Sequence, residues 1–447
     1  VYMSYYTIAK QIKERKVNAE KLDDEVFDYI LLGIGNPTMI GEKKGLDSSL
    51  LQEMRSEFSY FYPLDSRHSG RDLVPNHLTY FIFNHIAIFP NELWPRQIVV
   101  NGSVLMEGKK MSKSFGNVIP LKDALKSYGA DPFRVAVLAT AELLQDADFS
   151  NILAKSICER LERFYSFTLQ IVDMEEDTQE RSLKTIDMWL LSRLQQRIKT
   201  VTVAMENIRF REAIHNVLYM LDQDIQWYLR RSLTEEGRES SVVLRQVMEI
   251  RTLLLAPFAP HLCEEIWEKM GRSSFASAAE WPCYDEDKID IGVIEGEELV
   301  RTLRDDLSNI IQATKTTPKK IFFYTTSGWK WKTYMATLGL AAKGQLKVND
   351  LMKRLMADSE LKKYAKQVSA FTQKIAADLC KMPEDLIMNR LDIGVLDEIK
   401  IIMGAKSFYE REFNAEISVL MEDNPDRYDP KDRARLAEPY RPAIYVE

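Results

Sequence analysis

The sequence predicts an α/β region built on an incomplete parallel sheet, then an all-α helical bundle, then a small α+β domain. Three observations carry this. Up to about residue 150, short runs rich in Ile, Val, Leu and aromatics alternate with helical runs. From about 150 to 275, long stretches repeat apolar residues at three- and four-residue spacing. From about 290, "KIFFYTT" and "AEISVLME" read as strands around further helical stretches. A chain of 447 residues suits two or three domains, drawn at 1–150, 151–290 and 291–447.

Taken in order, "FDYILLG" and "RQIVVNGSVLM" read as strands. "DSRHSG" reads as a loop, with Ser69 or Asp72 as candidate helix caps. "LVPNHLTYFIFNHIAIF" is too long for a strand and reads as a mostly buried helix, with Pro75 in its first turn where a missing N–H is harmless. "PLKDALKSYGADPFRVAVLAT" reads as two helices. Four bundle patterns follow, the last broken at "APFAPHLCEEIW" because Pro257 and Pro260 must end one helix and begin another. Helices are expected at about 349–380 and 393–413. "SGWKWKTY" reads as an aromatic turn, and the residues after "AEISVLME" as a loose charged tail.

Composition sets limits. Hydrophobic residues make up 45% and charged residues 28%, as in globular chains, and no apolar run is long enough to span a bilayer. The N-terminal "VYMSYYTIAKQIKERKV" lacks the pattern of a secretory leader and reads as a chain that begins in the middle of a fold. Cys158, Cys263, Cys283 and Cys380 are far apart and form no CxxC pair. They predict reduced thiols in a cytoplasmic protein and no protein-bound metal site. The net charge of −7 argues against nucleic-acid binding over the whole surface. Yet Arg301 to Cys380 holds 15 Lys or Arg against 6 Asp or Glu, with aromatics interleaved. That stretch is either a solvated basic face or a surface for a phosphate backbone.

The densest chemistry lies in "GKKMSKSFGN", Gly108 to Asn117. A strand-like run leads in and a helical run follows. Glycines at 108 and 116 free the backbone to approach a ligand, and no Walker pattern is present. Two lysines at i and i+3 on such a loop suit the developing charge of a leaving polyphosphate, since an ammonium is a compact point charge. Stabilisation that appears only in the transition state is what accelerates a step.

"KMSKS", Lys110 to Ser114, is the second signature of class I aminoacyl-tRNA synthetases. Tyr62 to Pro90, "NGSVLMEGKKMSKSFGNVIPLKDALKSYGADPFR", "YMSYYTIA", "FDYILLG" and "RPAIYVE" resemble the leucyl-tRNA synthetases of the archaeal and eukaryotic-cytosolic type. Valyl and isoleucyl enzymes share the loop and bundle, and a fragment of that type is an alternative. The resemblance implies half of a Rossmann-type catalytic domain, an anticodon-binding-type bundle and a C-terminal tRNA-binding domain. It implies catalytic roles for Lys110 and Lys113, and ATP contacts from Gly70, Asp72, Met111, Ser112, Lys113 and Ser114. His77 would line the amino-acid and adenylate pocket, the alternative being a packed core histidine; for Asp72 the alternative is a helix cap. Asp146 and Asp148 resemble an element that pairs with a loop lysine, or else cap the helix from Asn151. The substrates implied are leucine, ATP with Mg2+ and tRNA(Leu). The candidate tRNA surface comprises Lys319, Lys320, Lys330 and Lys332, with the tail ending in Val446 and Glu447, which otherwise closes a sheet.

One part of the family pattern is absent. The first signature, H-x-G-H, does not occur among His68, His77, His85, His215 and His261, and no editing domain is present. The resemblance therefore implies the C-terminal half of a leucyl enzyme, a leucine-tRNA ligase that needs an N-terminal half or subunit bearing H-x-G-H. Half a sheet leaves an open edge and an uncovered apolar face. The alternative of a different class is a tRNA-binding module without catalysis.

Overall fold

The structure, a computed structural model, describes residues 2–112, 114, 116–174, 182–232 and 241–447. It divides into two compact units: Val1–Leu161 with Ala204–Glu212, and Glu162–Val203 with Ala213–Glu447. Its content is mostly helical with small sheets.

In the first unit, the helices Tyr2–Glu14 and Ser48–Phe61 and the turns Asp24–Leu32 bury Ile8, Val26, Ile30, Leu51, Met54 and Phe58 together. "FDYILLG" is therefore helical and not a strand. Asp23 accepts the Val26 N–H at its start, and Gly33, at φ 74°, closes it in the left-handed conformation. Within "DSRHSG", Asp65 and Ser66 are loop as expected, but Arg67–Gly70 are not. Strand β1 (Arg67–Gly70) pairs in parallel with β2 (Ile98–Asn101), Arg67 opposite Ile98 and Gly70 opposite Asn101. The expected second strand run is split. It becomes β2 and β3 (Val104–Met106), and between them stands Gly102, where a Cβ would lie 2.1 Å from the Gln145 carbonyl oxygen. A second sheet has the order β4 (Lys109–Lys110), β3, β5 (Ala147–Phe149), antiparallel then parallel.

The helix Thr79–Ile88 follows the turns Val74–Leu78, with Pro75 at their start as expected. It is not mostly buried. Leu78, Phe81, His85 and Phe89 form one buried stripe, while Tyr80, Ile82, Phe83, Ile86 and Ile88 are exposed.

The second unit holds a helical bundle. The helix Ser241–Leu255 packs with Pro260–Lys269 and with the turns Asn216–Met220 that lead into the helix Leu221–Ser232, and the break between the first two falls at the prolines expected to cause it. Arg251 is buried, over the Phe164 ring at 4.7 Å, and donates to the Val217 carbonyl. The helix Ile291–Thr314 is an element absent from the sequence reading, although Leu299, Leu303 and Leu307 recur on its buried face. Beyond it lies a sheet of order β7-β6-β8, from β6 (Lys320–Thr325), β7 (Glu416–Met421) and β8 (Ala443–Val446). β7 is parallel and β8 antiparallel to β6. Two expectations are corrected here. "SGWKWKTY" opens the helix Gly328–Ala341, and the charged tail ends in a sheet strand.

Candidate functional site

The hairpin that carries the loop is set by its turn. Glu107 (φ 50°) and Gly108 (φ 75°) are both left-handed, as a two-residue turn between twisted antiparallel strands requires. The Gly108 N–H donates to Asp148 Oδ1 at 2.8 Å, which ties the turn to β5. Lys110 pairs with Leu105 and is exposed. No ion pair or hydrogen bond of its ammonium occurs among the described residues. The chain then leaves the sheet. The Asn117 carboxamide accepts the Ser112 N–H at 2.9 Å and donates to the Lys110 carbonyl at 3.1 Å. The Ser112 and Ser114 hydroxyls share a hydrogen bond at 2.6 Å. Met111 and Ser112 are half-buried, and Ser114 is exposed. Lys113 lies outside the described residues.

Asp146 stands beside this hairpin. It accepts the Ser103 N–H at 2.7 Å and pairs with Arg71 at 2.9 Å. The Ser103 N–H, then Arg71, and more weakly the Lys110 charge hold its carboxyl below the ordinary value. Neither Asp146 nor Asp148 caps the helix Asn151–Val172; Ser150 Oγ accepts the Leu153 N–H there. Arg71 thus links the end of β1 to the strand beside the loop. Next to it, Gly70 is the cap position of the short turn Arg71–Leu73, which no side chain caps, so Ser69 and Asp72 do not take the role expected of them. The Asp72 carboxylate folds back over Gly70, where a Cβ would lie 2.6 Å from Oδ1. His77 is exposed, its Nε2 3.2 Å from an Arg67 nitrogen, so it is not a core histidine. His85 is the core histidine. Its Nδ1 lies 2.7 Å from the Phe81 carbonyl, Nε2 lies 3.3 Å from the Tyr62 hydroxyl, and burial pushes its pKa down.

Sequence reasoning missed Asn117, Arg67 and Arg71. Only Asn117 left a signal, as a turn-type residue directly after Gly116. Among the described residues, no group of three or more His, Cys, Asp or Glu side chains is placed to hold a metal, and no helix is long and apolar enough to cross a membrane.

The basic stretch near β6 does not present one face. Lys319 and Lys320 are exposed, and Lys320 pairs with Glu416 at 3.2 Å. Lys332 is exposed and pairs with Glu360. Lys330 is buried. Its ammonium donates to the Arg435 and Ala437 carbonyls at 2.8 and 2.6 Å and pairs with Glu422 at 2.7 Å, so it has no free donor for a phosphate. Val446 pairs with Ile321, and the Glu447 carbonyl accepts the Lys319 and Lys320 N–H groups. The end of the described chain thus closes the sheet.

Residues 46–150 match the family model described as tRNA synthetases class I (I, L, M and V), and residues 187–322 match the anticodon-binding domain of tRNA ligase. The leucine–tRNA ligase of Methanosarcina mazei is 42% identical over 448 residues, covering all of this chain and 45% of the relative. That of Methanocaldococcus jannaschii is 38% identical over 448 residues, covering all of this chain and 44% of the relative. A solved structure of a LeuRS from Agrobacterium radiobacter, in ternary complex with tRNA and LeuAMS, aligns at 21% identity and a TM-score of 0.45. It covers 68% of this chain and 34% of that one, a likeness too distant to argue from. The chain spans just under half the length of the curated relatives it matches. Along its whole length the chain is homologous to a part of the archaeal leucine–tRNA ligases, and residues 46–150 carry the class I tRNA synthetase match.

Proposed function

We propose that this chain supplies the loop-bearing part of a leucine–tRNA ligase, which activates leucine with ATP and charges leucine tRNA. The observation that carries the reading is the K-M-S-K-S loop, raised on a hairpin with Lys110 exposed, inside the segment that matches the class I synthetases. In the first step a leucine carboxylate oxygen bonds to the α-phosphorus of ATP. The bond from that phosphorus to the bridging oxygen breaks, and pyrophosphate leaves with the electron pair. Lys110 and Lys113 meet the charge that grows on pyrophosphate, while Met111, Ser112 and Ser114 shape the loop around ATP. Gly70 and Asp72 lie on the ribose side and His77 in the adenylate pocket. Mg2+ enters with ATP as part of the substrate.

Activity belongs to an assembly in which a second part brings H-x-G-H. The exposed apolar face of Thr79–Ile88 and the length of the relatives support this. The work divides as 1–150 for activation, 151–290 for the anticodon-binding-type bundle and 291–447 for tRNA. In the last, Lys319, Lys320 and Lys332 face the phosphate backbone, and Val446 and Glu447 hold the sheet beneath them. The setting is the cytoplasm. Lys113→Ala in the assembled enzyme tests the reading. Leucine-dependent pyrophosphate exchange should fall on the order of 10²-fold, with ATP affinity changed far less. An unchanged exchange rate refutes the lysine assignment.

A further inference from the structure

We propose that Asn117 is the latch of the K-M-S-K-S loop, a positioning residue that sets where the Lys110 ammonium stands. The inference rests on the activity reading above. Lys109 and Lys110 use one edge of their strand to pair with β3. The other edge offers the Lys110 carbonyl and the Ser112 N–H, which have no neighbouring strand because β4 lies at the edge of its sheet. Asn117 takes both with one carboxamide, at 3.1 and 2.9 Å, and so stands in for that strand. This closes the loop at its base, seven residues after Lys110. Gly116, at φ 65°, turns the chain so that Asn117 faces back; nothing lies within 4 Å of where its Cβ would be, so it is the backbone conformation and not space that favours glycine there.

A second anchor lies at the other end. The Gly108 N–H is held by Asp148 from β5, two residues before Lys110. Lys110 therefore stands between two fixed points, Asp148 behind it and Asn117 ahead. Opening the loop past Ser112 requires the Asn117 contacts to break, while the Asp148 contact need not. Only a side chain with both a donor and an acceptor serves here. Asp at 117 still accepts from Ser112, but it turns a second oxygen toward the Lys110 carbonyl.

The first measurement is hydrogen–deuterium exchange on the isolated chain, comparing wild type with Asn117→Ala and Asn117→Asp. Exchange at the Ser112 amide should rise about tenfold in both Asn117 variants, since the amide loses its acceptor or its closed loop. Peptides from β5 and from the helix Ser48–Phe61 should stay at wild-type rates, which separates loop opening from unfolding. Wild-type protection of Ser112 in both Asn117 variants overturns the latch. The second measurement is leucine-dependent pyrophosphate exchange by the assembled enzyme. Asn117→Ala should lower kcat about tenfold and leave the KM for leucine unchanged. Adding Lys110→Ala should then cost less than it does in the wild-type background, because the lysine is already displaced. Strict additivity of the two substitutions overturns the positioning role. An assembled wild type that shows no exchange refutes the activity reading instead, and the amide arm then decides the latch by itself.

Discussion

Two helices rich in apolar residues have opposite surroundings. In Ser241–Leu255 of the second unit, nine residues are buried. In Thr79–Ile88 of the first, Phe81 and His85 are buried, while five large apolar side chains are exposed. A helix that is apolar all round fits a place covered on all sides. Buried charges in the bundle are paired. In the bundle, Asp224 is buried and met by Arg193 and Arg197 at 3.3 and 2.8 Å, and Glu297 is met by Arg231 and the Trp227 N–H. Buried charges that complete need no further partner. Buried polar atoms without a hydrogen-bond partner occur in both regions, Ser66 Oγ, Ser69 Oγ and Arg67 Nε in the first unit and Trp267 Nε1 in the bundle. What marks the first unit as a core open on one side is the exposed apolar face of Thr79–Ile88.

Core truncations should break this comparison first. Phe58 is fully buried and stacks on Tyr62 at 4.5 Å, so Phe58→Ala should destabilise the first unit by about 3–5 kcal/mol in urea melts. Leu254→Ala should cost the second unit about 2–5 kcal/mol. A melt unchanged by either substitution would contradict the burial of that side chain.

A smaller effect concerns pH. Glu398 is buried and accepts the Thr326 and Tyr440 N–H groups at 2.8 and 3.0 Å; burial pushes its pKa up to about 7. The folded state therefore holds its proton more tightly than the unfolded chain does. The stabilisation is full below the ordinary carboxylate pKa and is lost as pH rises through about 7. The span is on the order of 3 kcal/mol. Melts of Glu398→Gln against wild type, from pH 4 to 8, should show the wild type losing stability with rising pH relative to the variant. A constant difference would contradict it.

Smaller still, Phe83→Ser on the exposed face should change the stability of the isolated chain by less than about 0.5 kcal/mol while impairing assembly with a complementary part. Replacing Lys319, Lys320 and Lys332 by Ala should weaken tRNA binding and flatten its salt dependence by about one unit of slope per phosphate lost. Lys330→Met should leave the slope alone and destabilise the fold.

The loop motif and the bundle were legible because each depends on local pattern. The helix Asn151–Val172 has the bounds its apolar spacing predicts. What was not legible depends on neighbours. "RHSG" is too polar to announce a strand, and β2 makes it one. "FDYILLG" is rich in strand formers, but a cap at Asp23 and a stop at Gly33 favour the helix. Counting charge did not separate Lys330 from Lys332, because residues two apart on a helix point to different sides, and only the structure shows which one faces in. Asn117 was not predicted because its role lies in two backbone groups that the sequence does not mark.

The central claim is that this chain carries half of an adenylate-forming site and is completed by a second part. The most direct measurement is leucine-dependent ATP–pyrophosphate exchange by the purified chain, alone and mixed with the complementary segment of the Methanosarcina mazei leucine–tRNA ligase. The account predicts background exchange from the chain alone and leucine-dependent exchange from the complex. Robust exchange by the chain alone, or a stable complex with none, would contradict it.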